Sequence, residues 1–169
     1  MIGDIANLSS YEQESFDFIS VLGVLEHLVR PDLALREISR LLKKDGLLFI
    51  QTPDTSSIPA RCLGRFWFCY APVEHIHFFD KKNLTLLLQK FGLTPIAFQA
   101  HWKKLELWYL VAQLSHFGSR AVALHLEKIR QLLPELSWLN GRAVFYGGEM
   151  IGIASKNREV PEEFDRNCT

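Results

Sequence analysis

Residues 16–28 read FDFISVLGVLEHL. The first seven are rich in apolar and β-favouring types with little alternation, the pattern of a strand buried on both faces of a parallel sheet. The run then delivers two ionisable groups, Glu26 and His27, just past the strand. Further along, Pro31-Asp32 suits the first turn of a helix, and Leu33, Leu35, Ile38, Leu41 and Leu42 recur at helical spacing. Lys43-Lys44 suit its last turn and Gly46 its stop. LLFIQTP, residues 47–53, reads as a second buried strand closed by Pro53. Strand, helix, strand in close succession predicts a parallel pair joined by a right-handed crossover.

Residues 54–79 form a long irregular stretch with Pro59, Gly64, Pro72 and the aromatics Phe66, Trp67, Phe68, Tyr70, Phe78 and Phe79. Such a stretch in a compact domain is more often functional than idle. Asp80 reads as the N-cap, with Asn83 as rival, of a helix over 81–91 closed by Gly92. A third strand is expected near 93–99, two amphipathic helices over 103–117 and 120–133, and a last strand over 149–155. The order predicts one α/β domain over 1–155, with a helical insertion at about 103–134 and a polar, mobile tail over 156–169. In such open sheets ligands bind beyond the carboxyl ends of the strands, which is where Glu26 and His27 stand.

The chain has 169 residues, 48% of them apolar and 22% charged, which fits one soluble globular domain. Lys plus Arg balances Asp plus Glu at 19 each, so no nucleic-acid partner is expected. Cys62, Cys69 and Cys168 lack C-x-x-C spacing. That argues against a disulfide framework or zinc knuckle and fits a reducing cytoplasm. MIGDIANL has no signal-peptide character. No apolar run approaches the roughly 18 residues of a spanning helix, so no transmembrane segment is expected.

Three pieces carry a resemblance: GDIANL at 3–8, FDFISVLGVLEHLVRPDLALREISRLLKKDGLLFIQTPD at 16–54, and EHIHFFDKKNLTLLLQKFGL at 74–93. In order and spacing they resemble the class I S-adenosylmethionine-dependent methyltransferases, in the broad subgroup with an E-H pair after the fourth strand and E-H-x-x-x-F after the fifth. The resemblance spans roughly residues 3–99. It implies a partial Rossmann-like fold, an open and mostly parallel sheet with helices on both faces. The full family order is 3-2-1-4-5-7-6 with the last strand antiparallel, and this chain would carry strands four to seven.

The resemblance also implies roles. Asp4 would meet the adenine amino group and Ile5 flank its ring. Leu22 and Gly23 would pass the methionine end of the cofactor, with Glu26 and His27 at the pocket edge. The loop over 54–79 would cover the acceptor, with Trp67, Tyr70, Glu74 and His75 as contacts. His27, His75 and His77 are the candidate bases or acceptor-orienting groups, since imidazole titrates near neutrality. Glu74-His75-x-His77 also has a metal-ligand spacing, but hydrogen bonds that order the loop or contact with the acceptor are the favoured roles, and no metal is expected.

The family's glycine-rich loop and its ribose-binding acid have no counterpart here. The chain therefore reads as a truncated C-terminal portion, expected to bind S-adenosylmethionine weakly or not at all and to be inactive alone. Strand 16–22 would then have an empty flank, and an unpaired apolar edge is an association hazard. A second copy, another chain or a rearranged N-terminus is expected to cover it. The function expected is methyl transfer to a small-molecule or glycan-like acceptor. The alternative is a non-catalytic remnant or interaction module that associates through strand 16–22.

Overall fold

The computed structural model describes residues 8, 10–70, 73–106 and 142–156. Its elements are β1 (Phe16–Leu22), α1 (Pro31–Leu41), β2 (Leu42–Pro53), α2 (Ile58–Leu63), α3 (Lys81–Gln89), β3 (Leu93–Glu106) and β4 (Arg142–Lys156). Short 3-10 turns cover Leu25–His27 and Gly64–Phe66. The four strands form one open sheet in the order β1-β2-β4-β3. β1 and β2 are parallel, while β4 runs antiparallel to both β2 and β3. The expected α/β layout with an open sheet is present, and β1, β2 and β3 share one direction. Insertion of β4 nevertheless makes two of the three pairings antiparallel.

Strand register explains where the core lies. Val21 stands opposite Ile50, and Leu48 opposite Ala154, so these side chains share one face. Leu35 and Ile38 of α1 and Leu84 and Leu88 of α3 join them in a single buried cluster with Leu93 and Met150. Both helices therefore cover the same face. The expectation that β1 and β2 are buried on both sides is not met: Phe18 is 55% exposed, Leu22 52% and Leu47 37%. The physical reason is that neither α1 nor α3 reaches the second face.

α1 ends at Leu41, short of the expected stop at Gly46. Leu42 is fully buried as the first residue of β2 and pairs with Phe16. Burying a leucine stabilises by about 1.5–3 kcal/mol, enough to favour early departure from the helix. The ladder then skips from Leu42 to Leu47, opposite Phe18, so residues 43–46 bow out. Asp45 takes a positive φ of 62° there. The expected N-cap of α3 is present in stronger form. The Asp80 carboxylate accepts from the Asn83 backbone, and the Asn83 side chain accepts from the Asp80 backbone, so the two rivals form one reciprocal cap.

β3 runs to Glu106, so residues 103–106 are strand rather than the start of a helix. They pair with β4 from Lys103 opposite Phe145 to Glu106 opposite Arg142. β4 correspondingly begins seven residues before the expected 149. The remainder of the two expected helices, over 107–133, lies outside the described residues, as does 157–169. Lys156, assigned to the tail, instead closes β4. It is buried, and its Nζ donates to the Leu42 carbonyl at 2.8 Å and to Glu14 at 3.1 Å. No described helix is long and apolar enough to cross a membrane.

Candidate functional site

The site grows from the carboxyl end of β1. Gly23 turns the chain with φ 61°, and its N–H donates to the Gln51 carbonyl at 3.0 Å. A left-handed φ suits glycine because it lacks a Cβ. The nearest atom to a Cβ built there is Glu26 Oε1, at 3.9 Å, so open space adjoins this turn. Leu25 then plugs the core, and its burial fixes the turn that carries Glu26 and His27.

Glu26 is only 3% exposed. Its Oε2 accepts from the buried Thr52 hydroxyl at 3.1 Å, and no Lys or Arg pairs with it among the described residues. Its backbone carbonyl accepts from both Ile76 N–H (2.8 Å) and His77 N–H (3.0 Å). Those two bonds dock the 73–79 segment onto the turn. His27 Nδ1 donates to the Glu74 carbonyl at 2.6 Å, and His75 Nδ1 donates to the Cys69 carbonyl at 2.7 Å. A carbonyl only accepts, so each Nδ1 carries a hydrogen, and in the neutral rings Nε2 keeps its lone pair. The rings meet edge to face with centroids 4.7 Å apart. One ligating atom from each of Glu26, His27 and His75 lies within 4.8 Å of the others.

The structure thus brings together three of the expected site residues and separates others. Gly23 adjoins Glu26, and Leu22 beside it is exposed. Glu74 contributes its backbone carbonyl, and its side chain is exposed. The His77 ring stacks on Phe79, and its buried Nε2 has no partner among the described residues. Tyr70 packs between Trp67 and Phe78, with ring centroids at 5.1 and 5.3 Å. Trp67 is fully buried, so it supports the loop rather than lining an acceptor wall. Its Nε1 donates to the Gly147 carbonyl at 2.7 Å. Gly148, at φ 89°, makes room for this packing, because a Cβ there would come within 2.5 Å of Ser57 Oγ and 2.9 Å of the Trp67 ring. Asp4 and Ile5 lie outside the described residues.

A second polar cluster was missed in the sequence. Glu149 accepts from Lys103 Nζ at 2.6 Å, Gln51 Nε2 at 2.8 Å and His101 Nδ1 at 3.2 Å. Burial disfavours its charge, but the Lys103 ammonium and the other donors outweigh that and hold its carboxyl below the usual range. Its only signal was an acid opening the apolar run EMIGIAS. Cys69 lies near both clusters. Burial, with the charges of Glu149 and Glu26 and against that of Lys103, pushes its thiol up to about 12. It is no thiolate nucleophile near neutral pH.

Comparison with known proteins supplies the frame. Residues 4–97 match a family model described as a methyltransferase domain. Over 41 residues, 24% of this chain and 17% of the relative, the sequence is 46% identical to the ubiquinone biosynthesis O-methyltransferase of Glaesserella parasuis serovar 5 (strain SH0165). A SAM-dependent methyltransferase structure from Thermotoga maritima matches 91% of this chain at TM-score 0.54 and 22% identity. The chain spans 62% of that protein's length. The [4+2]-cyclase SpnF matches 94% of this chain at TM-score 0.53 and 18% identity, with 56% of its own length covered. These structural likenesses establish the fold; the cyclase shows that the fold by itself does not dictate one chemistry.

Proposed function

The chain belongs to the methyltransferase-domain family, and from that we infer that it serves S-adenosylmethionine-dependent methyl transfer to a small-molecule or glycan-like acceptor. The observation that carries this reading is the matched stretch 4–97, in which the β1-α1-β2 unit sets Gly23, Glu26 and His27 at the carboxyl end of β1. When bound, the cofactor supplies an activated methyl group on a sulfonium. The residues present fit one side of its site: the open turn at Leu22 and Gly23 leaves space at the end of β1, and Glu26 sets a buried carboxylate beside it.

The remaining work falls to this chain's side chains. His27 and His75, each anchored through Nδ1, offer Nε2 to an acceptor, either to orient it or to take its proton. Placement of this kind contributes about 7–11 kcal/mol in well-oriented systems. A reducing cytoplasm suits the unbonded thiols of Cys62 and Cys69.

Calorimetric titration of the 169-residue chain with S-adenosylhomocysteine tests this, with Asp4→Ala as control. Saturable binding that the Asp4 variant weakens supports a working cofactor site. Absence of binding to millimolar ligand would limit the family relation to ancestry. A second reading, an interaction module, draws on a different observation. β1 is the edge of the described sheet, and Phe18, Leu22 and Leu47 are exposed beside it. Sedimentation equilibrium decides that point, since a monomer at high concentration argues against association through β1.

A further inference from the structure

Glu26, His27 and His75 form the one group of three or more potential metal ligands among the described residues. We propose that they bind a divalent first-row transition-metal ion, Zn²⁺ being the best fit, through the Glu26 carboxylate and the Nε2 atoms of His27 and His75. No metal was expected from the sequence, where the Glu74-His75-x-His77 spacing drew attention. The fold selects a different trio. Glu74 turns its carbonyl inward, and His77 stacks away on Phe79.

Three features favour an ion here. Two imidazoles and a carboxylate make a donor set suited to zinc. Each histidine donates Nδ1–H to a backbone carbonyl, Glu74 for one and Cys69 for the other. That is the outer-shell arrangement that fixes ring orientation and leaves Nε2 for a metal. The third feature is charge. Glu26 is buried with a hydroxyl partner and no cation among the described residues, although buried carboxylates are normally paired or metal-bound. The site is also built before any ion arrives. Ile76 and His77 N–H bond to the Glu26 carbonyl, which ties the segment bearing His75 to the turn bearing Glu26 and His27.

Three protein ligands leave a fourth position of a tetrahedral ion for water or an incoming oxygen. On the methyl-transfer reading a hydroxyl-bearing acceptor would bind there, whereas binding of the ion does not rest on that reading. With Nε2 committed to the ion, the two histidines orient the acceptor through the metal rather than take its proton.

Titration of the 169-residue chain with CoCl₂ provides the test, read by visible d–d absorption and by competition with ZnCl₂. One ion per chain with the strong absorption of four- or five-coordinate cobalt is expected. His27→Asn and His75→Asn keep a donor near the Nδ1 position but delete Nε2. Each should weaken cobalt binding by more than the about 10–100-fold that loss of an outer-shell partner costs. His101→Ala, outside the trio, should leave it unchanged. X-ray absorption of the wild-type zinc form needs no variant and should show two imidazoles with oxygen ligands. The proposal is overturned by no uptake in the wild-type chain, by uptake unaltered in both Asn variants, or by a zinc shell without imidazole. S-adenosylhomocysteine binding is measured in parallel. Its failure alongside intact cobalt binding would remove the methyl-transfer reading and keep the metal site.

Discussion

Two acidic residues, Glu26 and Glu149, sit close enough for both to influence Cys69, yet their surroundings differ. Glu149 is surrounded by donors, with Lys103 at 2.6 Å and Gln51 and His101 completing its shell. Glu26 has Thr52 and, through its turn, two histidines whose donors already face elsewhere. A carboxylate with its cation supplied by the fold is a fastener between strands, here β4, β3 and β2. A buried carboxylate without one is prepared for something that arrives from outside. Family likeness alone would not separate the two, because both stand near the same end of the sheet.

The largest expected effect is at Trp67, whose indole is bonded close to the Glu149 cluster. Trp67→Ala should destabilise by about 3–5 kcal/mol in urea unfolding, since it empties a fully buried site and frees the Gly147 carbonyl two residues from Glu149. Glu149→Gln should cost about 1–3 kcal/mol, as hydrogen bonds to a charged group weaken. The same residue predicts an acid limb. Its folded carboxyl titrates below the ordinary value, so its contribution is present above about pH 4.5 and is lost as pH falls through the depressed folded value. Stability measured against pH should lose that component in Glu149→Gln.

Glu26→Gln should change stability by less than about 1 kcal/mol, because no cation is left unpaired and the Thr52 contact survives in shape. The same variant should abolish any rise in melting temperature on adding ZnCl₂. A large loss of stability without metal would break the comparison and make Glu26 a second fastener. The smallest effect is expected at the exposed Arg30–Asp32 pair. The Arg30 hydrogen bond holds the Asp32 carboxyl down at about 2, yet Asp32→Asn should leave the urea midpoint unmoved, because solvent screens so open a pair.

The crossover unit was legible because its signals are local. A mostly apolar run, a Pro-started amphipathic helix and a second apolar run lie within one short stretch, and the Asp80–Asn83 cap is written in two letters. The E-H pair also declared itself, as charge placed directly after a strand. What stayed hidden depends on partners distant in sequence. Leu42 satisfies a helical stripe and a strand equally well, and its pairing with Phe16 decides between them. Lys103 reads as the first residue of a helix because its partner in the extended chain, Glu149, is far away on β4. Trp67 looked like an acceptor wall until the Gly147-Gly148 pair, itself without meaning in isolation, was found to make its socket.

The position of β4 governs how the molecule can be made. β4 is last of the described strands in sequence yet lies between β2 and β3, and the Gln51–Glu149 bond joins residues 98 apart. While the chain is being synthesised, β2 can pair with β1, but its other side waits, and β3 lacks its one neighbour among the described strands. Two sticky strands are therefore exposed until translation nears residue 156, and closure must await the most distant contacts, which slows folding. Premature termination ahead of β4 would release a product with no central strand, and a cell would have to guard that interval with chaperones.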